Sequence, residues 1–426
     1  MSVGTGHTRA SLEALPRESL IKLLLSKTDS NEDPDGEPPS AKKQKRGHQA
    51  ANNNRRFDFS KYGHRHIALK VAYIGTKYQG FAHVQEAPTA TVEGQLLHAM
   101  TKTCLISDRE SSGISCGGRT DKGVSALGQV VALRVRSNLI EGEGIVPPAS
   151  APMEPSKEAR DEIDYCRVLN RVLPEDIRIL GWHPVDSDFS ARFSAAGRTY
   201  KYFFARGHLD VERMRDAAQR LLGEHDLRNF CKIDPNVTNF RRSIRAFEVE
   251  PCSSGGSAVD PASPQALWAF TIHGTAFLYH QVRCMVAVLF LVGEGKESPD
   301  IVSQLLDIER MPRRPNYEMA SDAPLLLHSI DYDQIERWRS SDVAHVALSE
   351  LWGEQQRDLM HRSAMLQTMR DSLRLPDGDP LAERLRVSFG TAPAGGVAQS
   401  RGGQHVPLVQ RPTHESVEHK TKGKAK

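Results

Sequence analysis

Ser115-Cys116-Gly117-Gly118-Arg119-Thr120-Asp121-Lys122-Gly123-Val124-Ser125-Ala126 sets three glycines around one Arg-x-Asp triplet. Glycines at that density let the backbone take positive φ and let a second backbone or a ligand come close. Val131, Leu133 and Val135 alternate directly afterwards and read as a half-buried strand. A carboxylate on a turn that feeds a strand, two residues from an arginine, is a candidate for site chemistry. The ordinary alternative is a glycine turn whose aspartate bonds only its own backbone. The flanks decide between them.

On the N-terminal side, Ile67, Leu69, Val71 and Tyr73 alternate as a strand that runs into the Gly- and aromatic-rich loop Gly75–Phe81. Thr91 then caps a helix whose apolar face is Val92, Leu96, Leu97 and Met100. Strand, helix, glycine loop and strand make one α/β unit. On the C-terminal side, residues 141–162 read as a linker or surface insertion. A helix carrying Ile163, Cys166 and Leu169 ends at Pro174, and strands at 177–185 and 198–205 follow. Asp210 caps a helix with Val211, Met214, Ala218 and Leu221 inward, and Gly223 stops it. Strands at 243–250 and 266–273 flank a polar loop. A long helix spans 278–292 and stops at Gly293, and Ser298-Pro299 opens another. This order predicts an α/β (α+β) fold with a mainly antiparallel or mixed sheet and helices on one face. A doubly wound fold would alternate strictly.

Outside this region the chain is polar. Residues 1–65 read as a disordered arm, with one short amphipathic helix between Glu13 and Leu25. Lys42, Lys43, Lys45 and Arg46 head a basic block that fits a solvated arm, a nucleic-acid contact or a nuclear-import patch. Residues 336–426 read as a helical and then low-complexity extension, mobile from Gly390 onward. Lys and Arg number 56 against 53 Asp and Glu, so total charge does not identify a partner. Six cysteines without a Cys-x-x-Cys pair fit reduced intracellular thiols rather than a disulfide framework or a zinc site. The longest apolar run, Met285–Val292, is too short to cross a bilayer. No Gly-Lys-Ser/Thr ends the glycine motif, which excludes a phosphate loop.

Two further stretches carry chemistry. In Arg192–Tyr202, the side chains of Tyr200 and Tyr202 share a strand face, with Arg198 and Lys201 beside them. Such a stripe is ordinarily core, yet an aromatic with neighbouring cations is also what stacking on an unpaired base requires. In Phe277–Val286, an apolar stripe buries the helix and leaves Arg283 near a core face, where it needs a carboxylate. Asp121 is the attractive partner. His280 reads as a phosphate contact or, more ordinarily, as a structurally satisfied histidine.

Taken together, the three stretches resemble the TruA family of tRNA pseudouridine synthases over most of Ile67–Asp331. Gly118–Ala126 is similar to the family's catalytic signature. Ala191–Ser194 with Arg198–Tyr202, and Phe277–Arg283, match its two other blocks in type, order and spacing. Lys122, Ser125 and Phe81 depart from the bacterial pattern (alanine, histidine and tryptophan there) and are similar to the eukaryotic branch acting on tRNA positions 38/39. The resemblance implies two ferredoxin-like halves, 66–140 and 163–335, joined across a central RNA-binding cleft. It also implies a homodimer, tRNA bound through the anticodon stem-loop, and no cofactor; His64-Arg65-His66 and the isolated cysteines lack metal-ligand spacing, so no metal is expected. By motif, Asp121 is catalytic, Arg283 pairs with it, and Arg119 holds the flipped nucleotide's place or its phosphate. Tyr200 stacks on the uracil and helps remove the C5 proton. Arg198 and Lys201, with Lys77, Arg192, Arg241 and Arg242, are candidates for contact with the RNA backbone. The alternatives are the same chemistry on another tRNA position or on mRNA, and a non-catalytic RNA-binding protein. A thiol hydrolase on Cys116 lacks a positioned histidine. The expected compartment is the nucleus, the cytoplasm or both.

Overall fold

The computed structural model describes residues 57–148, 161–252, 260–373 and 405–414. In chain order its elements are β1 (Gly63–Tyr73), α1 (Val92–Lys102), α2 (Arg109–Ser112), β2 (Ser115–Cys116), β3 (Ser125–Ser137), β4 (Ile145–Val146) and α3 (Tyr165–Asn170). Then come β5 (Ile177–Pro184), β6 (Gly197–Ala205), α4 (Val211–Gln219), β7 (Gly223–Asp226), β8 (Arg241–Pro251) and β9 (Leu267–Gly274). α5 (Gln281–Gly293), α6 (Ile301–Leu306), β10 (Leu325–Asp331) and α7 (Asp342–Asp371) complete the set.

Runs of β-branched and aromatic residues at period two suit a pleated, half-buried surface. Here they build one ten-stranded sheet in the order β4-β1-β3-β10-β6-β9-β8-β7, with β2 on β3 and β5 also on β1. Apolar residues face each other across the ladders, Ile67 opposite Leu133 and Tyr202 opposite Phe270. All pairings are antiparallel except β3 with β10, which is parallel and only two residue pairs long. Strands from 66–140 and from 163–335 therefore meet twice, β5 on β1 and β10 on β3.

Two hydrophobic clusters flank that junction, and Tyr200 packs against both. One joins α4 and α5 to β6, β8 and β9, where Phe204, Phe270 and Phe290 meet with ring centroids 4.7–6.0 Å apart. α5 is buried on nearly every side. That explains its apolar sequence from Cys284 onward, since a helix without a solvent face needs no polar stripe.

Several expectations are corrected. β1 begins at Gly63, inside the expected arm. Its first residues lack apolar alternation but pair with β3 and β4, and buried Arg65 forms an ion pair with Glu162 at 3.0 Å. The 141–162 segment thus supplies both a strand and a partner charge. Gly223 opens β7 with φ +98° rather than only ending a helix. β10 was not anticipated, because the run Leu325-Leu326-Leu327 shows no apolar-polar contrast in sequence, although in the fold Leu325 and Leu327 are buried and Leu326 is only partly so. α5 starts at Gln281, not Leu278, since the Gln281 side chain accepts the Leu278 N–H at 2.8 Å and turns 278–281 into a cap. The tail is not uniformly mobile: residues 405–414 dock, with Leu408 fully buried in the α5 cluster. The expected helix at 13–25 and the basic run at 42–46 lie outside the described residues.

Candidate active site

The loop between β2 and β3 is tied at nearly every residue. Gly117 N–H donates to Val130 O at 2.9 Å, and Gly118 N–H to Gln129 Oε1 at 3.1 Å. Thr120 Oγ1 shares a 2.7 Å hydrogen bond with the Tyr73 hydroxyl, and Gly123 N–H reaches Tyr78 O at 3.2 Å. Two glycines here are required by space. A Cβ at Gly117 would stand 2.6 Å from the Tyr332 hydroxyl, and Gly123 has φ +80° with Asp322 2.5 Å from where a Cβ would be. The loop is consequently rigid, and Asp121 projects from it into a cleft of about 560 Å³.

Among the residues lining that cleft, Asp121 is the one carboxylate, against five arginines: 119, 192, 198, 242 and 283. Phe193, Tyr200, Phe277 and Tyr279 supply aromatic surface. Phe193 is 81% exposed. Tyr200 meets Phe277 edge to face with centroids 5.1 Å apart. Asp121 has its proton affinity pushed up to about 6, first by burial and then by Asp322, while Arg283 and Lys232 pull it down. Burial prevails because removing a carboxylate from water disfavours its charged form. Burial also pushes the Tyr200 hydroxyl up to about 12. It stays protonated at neutral pH, which suits stacking and hydrogen-bond donation but not service as a phenolate base.

The basic nitrogen beside Asp121 is not the expected one. His280 Nε2 stands 3.4 Å from Asp121 Oδ2, whereas Arg283 makes no ion pair with Asp121. Arg283 lines the cleft, acts on Asp121 through space, and donates its Nε to Ala320 O at 2.8 Å. A backbone carbonyl thus takes the hydrogen bond assigned to the carboxylate.

Arg198 is also committed to backbone. Its guanidinium donates to Gly117 O, Thr275 O and Arg192 O at 2.8–3.3 Å, clamping the glycine loop to the end of β9. Arg119 lines the cleft as expected. Lys201 does not. Strand alternation puts it on the opposite sheet face from Tyr200, and there it neighbours His328 and Cys252. Lys77 and Arg241 lie outside the cleft lining, bound to Asp176 and Glu224, whereas Arg192 and Arg242 are within it. Cys116 borders the cleft, but burial raises its thiol, the reverse of what a nucleophile needs. Two of the departing residues are structural: Phe81 is fully buried, and Ser125 Oγ accepts the Gly75 N–H at 3.0 Å.

Sequence reasoning missed Asp322 and Lys232, which tune Asp121 from loops with no motif of their own. Arg242 was included only among general backbone contacts. Its position at the start of β8 was the available signal.

Comparison with known proteins places the chain by its sequence. A family model described as tRNA pseudouridine synthase matches residues 217–333. The tRNA pseudouridine(38/39) synthase of Bos taurus is 44% identical over 335 residues, covering 76% of this chain and 68% of that protein. The Saccharomyces cerevisiae protein of the same name is 44% identical over 296 residues, 68% of this chain and 62% of its own. A tRNA pseudouridine synthase A from Methanothermobacter thermautotrophicus is 30% identical over 312 residues, 73% of this chain and 97% of its own.

Proposed function

Because the chain belongs to the TruA family of tRNA pseudouridine synthases, we propose that it isomerises uridine to pseudouridine at positions 38 and 39 of the tRNA anticodon stem-loop. The reaction breaks the N1–C1′ bond, turns the uracil and joins C5 to C1′, with a net proton transfer from C5 to N1. The observation that carries the site assignment is one half-buried carboxylate in a cleft lined by five arginines and four aromatic rings.

The nucleotide must leave its stack before any group reaches C1′, at a cost of a few kcal/mol. Arg119 and Arg192 line the cleft and are suited to hold the displaced phosphodiester backbone. Tyr200, set edge-on to Phe277, offers a flat face for the uracil. Asp121 then acts on the sugar, either as nucleophile at C1′ or as base on a ribose proton. Arg198 contributes indirectly, by fixing the loop that carries Asp121.

We assign the same protein a homodimeric state. Trp352, Leu359 and Leu366 recur every seven residues along α7 and are exposed, which is the seam spacing of a helix awaiting a partner helix. The basic block at 42–46 supports residence in the nucleus as well as the cytoplasm.

Asp121→Ala tests the reaction. Turnover of a transcribed tRNA should drop by roughly 10²–10⁴-fold if Asp121 is a base, and to background if it forms the covalent bond. Affinity for tRNA should change little. An active Asp121→Ala enzyme overturns the assignment. Pseudouridine-specific mapping in cells lacking the protein should show loss at positions 38 and 39. Loss confined to other tRNA positions or to mRNA would select the alternative substrates.

A further inference from the structure

His280 has a backbone that few residues of its kind adopt. Its φ of +61° lies in the left-handed region, which costs a side chain with a Cβ and costs glycine nothing. The surrounding turn enforces it. Gln281 N–H donates to Leu278 O at 3.1 Å, the Gln281 side chain returns to the Leu278 N–H, and Lys232 N–H holds Tyr279 O at 3.0 Å. A residue kept in a strained conformation by an over-determined turn points to a role for its side chain. The ring lies against Tyr279 at 3.8 Å and sets Nε2 3.4 Å from Asp121 Oδ2. Its other nitrogen, Nδ1, is buried without a hydrogen-bond partner.

These facts settle the tautomer. A proton on Nδ1 would bury an unsatisfied donor and turn a lone pair toward a carboxylate. A proton on Nε2 faces the carboxylate and leaves Nδ1 a bare acceptor. Burial first, and then the charges of Arg283, Lys232 and Arg314 against that of Asp322, keep the ring neutral. Arg283 is meanwhile bound to the Ala320 carbonyl.

We infer that His280 is a positioning residue for the reaction: its Nε2–H holds the Asp121 carboxylate in the orientation that faces the ribose. The inference rests on the reading of Asp121 as the catalytic carboxylate. A neutral donor suits the task, because it orients the acid without quenching its charge as a second cation would. The 3.4 Å separation belongs to the free enzyme, in which catalytic hydrogen bonds are often longer than in the complex with substrate.

Two variants in the full chain separate ring from backbone. His280→Gly relieves the left-handed strain and removes the donor. His280→Gln keeps the backbone strain and carries an amide N–H that reaches the position of Nε2. His280→Gly should melt at the wild-type temperature or above, bind tRNA with unchanged KM, and lose roughly 10–100-fold in kcat, the range typical of a lost orienting contact. The acid limb of its kcat profile should move to higher pH, because a carboxylate that loses a donor holds its proton more tightly. His280→Gln should recover most of the rate and return the acid limb toward its original position. A His280→Gly enzyme with wild-type kcat and an unmoved acid limb overturns the inference. So does equal impairment of the two variants. An active Asp121→Ala enzyme would instead sink the underlying reading, so the two failures are distinguishable.

Discussion

Asp121 binds its proton more tightly folded than unfolded, with the carboxyl raised from 3.8 to about 6. Below pH 4 both states are protonated and the residue leaves stability unchanged. Between pH 4 and 6 the unfolded chain ionises while the folded one retains its proton, so the native state binds more protons and stability falls as pH rises. Above pH 6 the accumulated loss is on the order of 2–3 kcal/mol. Asp121→Asn, which carries no charge to bury, should therefore be more stable than wild type at pH 7.5. That advantage should vanish below pH 4 in urea titrations, and an advantage independent of pH would refute the account. Turnover requires the ionised form and should fall as pH drops through about 6. Asp121 was legible as a candidate only with its flanking stretches, because an aspartate in a glycine turn is ordinarily part of the turn. The bonds of Arg198 were not, since its acceptors Gly117 and Thr275 lie 81 and 77 residues away. Lys201 was readable and misread, since alternation alone puts it opposite Tyr200. His280 carried no signal of positive φ, which arises from the Gln281 cap rather than from a glycine.

At the scale of elements, strands with polar faces and helices with stripes were visible in sequence, while β10, whose three successive leucines give no alternation, was not. α7 was expected only as polar helix. Its first turns bury Ala344 and Leu348 against the body, and then it runs free for the rest of its 30 residues. Leu359 and Leu366 are 66% and 61% exposed, with Met369 one further turn along. Leaving such side chains in water forgoes about 1.5–3 kcal/mol each. Charged residues on the other faces keep the helix soluble, so the seam is selective rather than uniformly sticky. Leu359→Glu combined with Leu366→Glu should convert a dimer to a monomer in sedimentation experiments while leaving far-ultraviolet helicity intact. Wild type that sediments as a monomer at micromolar concentration, or a double variant that stays dimeric, would remove α7 from the interface.

For the whole molecule, composition over Gly390–Lys426 concealed a docking segment, because ten residues that contribute one core leucine and main-chain bonds barely alter an average. Leu408 is fully buried, and its N–H donates to Glu297 Oε1 at 2.7 Å. His405 Nε2 meets the same oxygen at 2.9 Å. Asn316 N–H donates to Pro412 O and His414 N–H to Arg314 O, at 2.8 and 2.9 Å. The segment therefore closes over the loop after α6, whose Arg314 covers the Tyr317 ring at 4.2 Å while the Tyr317 hydroxyl reaches Asn229 O. That loop backs α5, the helix that begins beside His280. Leu408→Ala should cost about 2–4 kcal/mol, as leucine truncation in a packed core does. Truncation before His405 should cost at least as much, because buried Glu297 also loses both partners. Urea unfolding checks this, with the midpoint falling at constant m-value. Because the hydrogen bonds of residues 405–414 run to Glu297, Arg314 and Asn316, which do not line the cleft, the Leu408→Ala enzyme should retain kcat well below its melting temperature. An unchanged midpoint would mean that the segment rests on the surface without holding it.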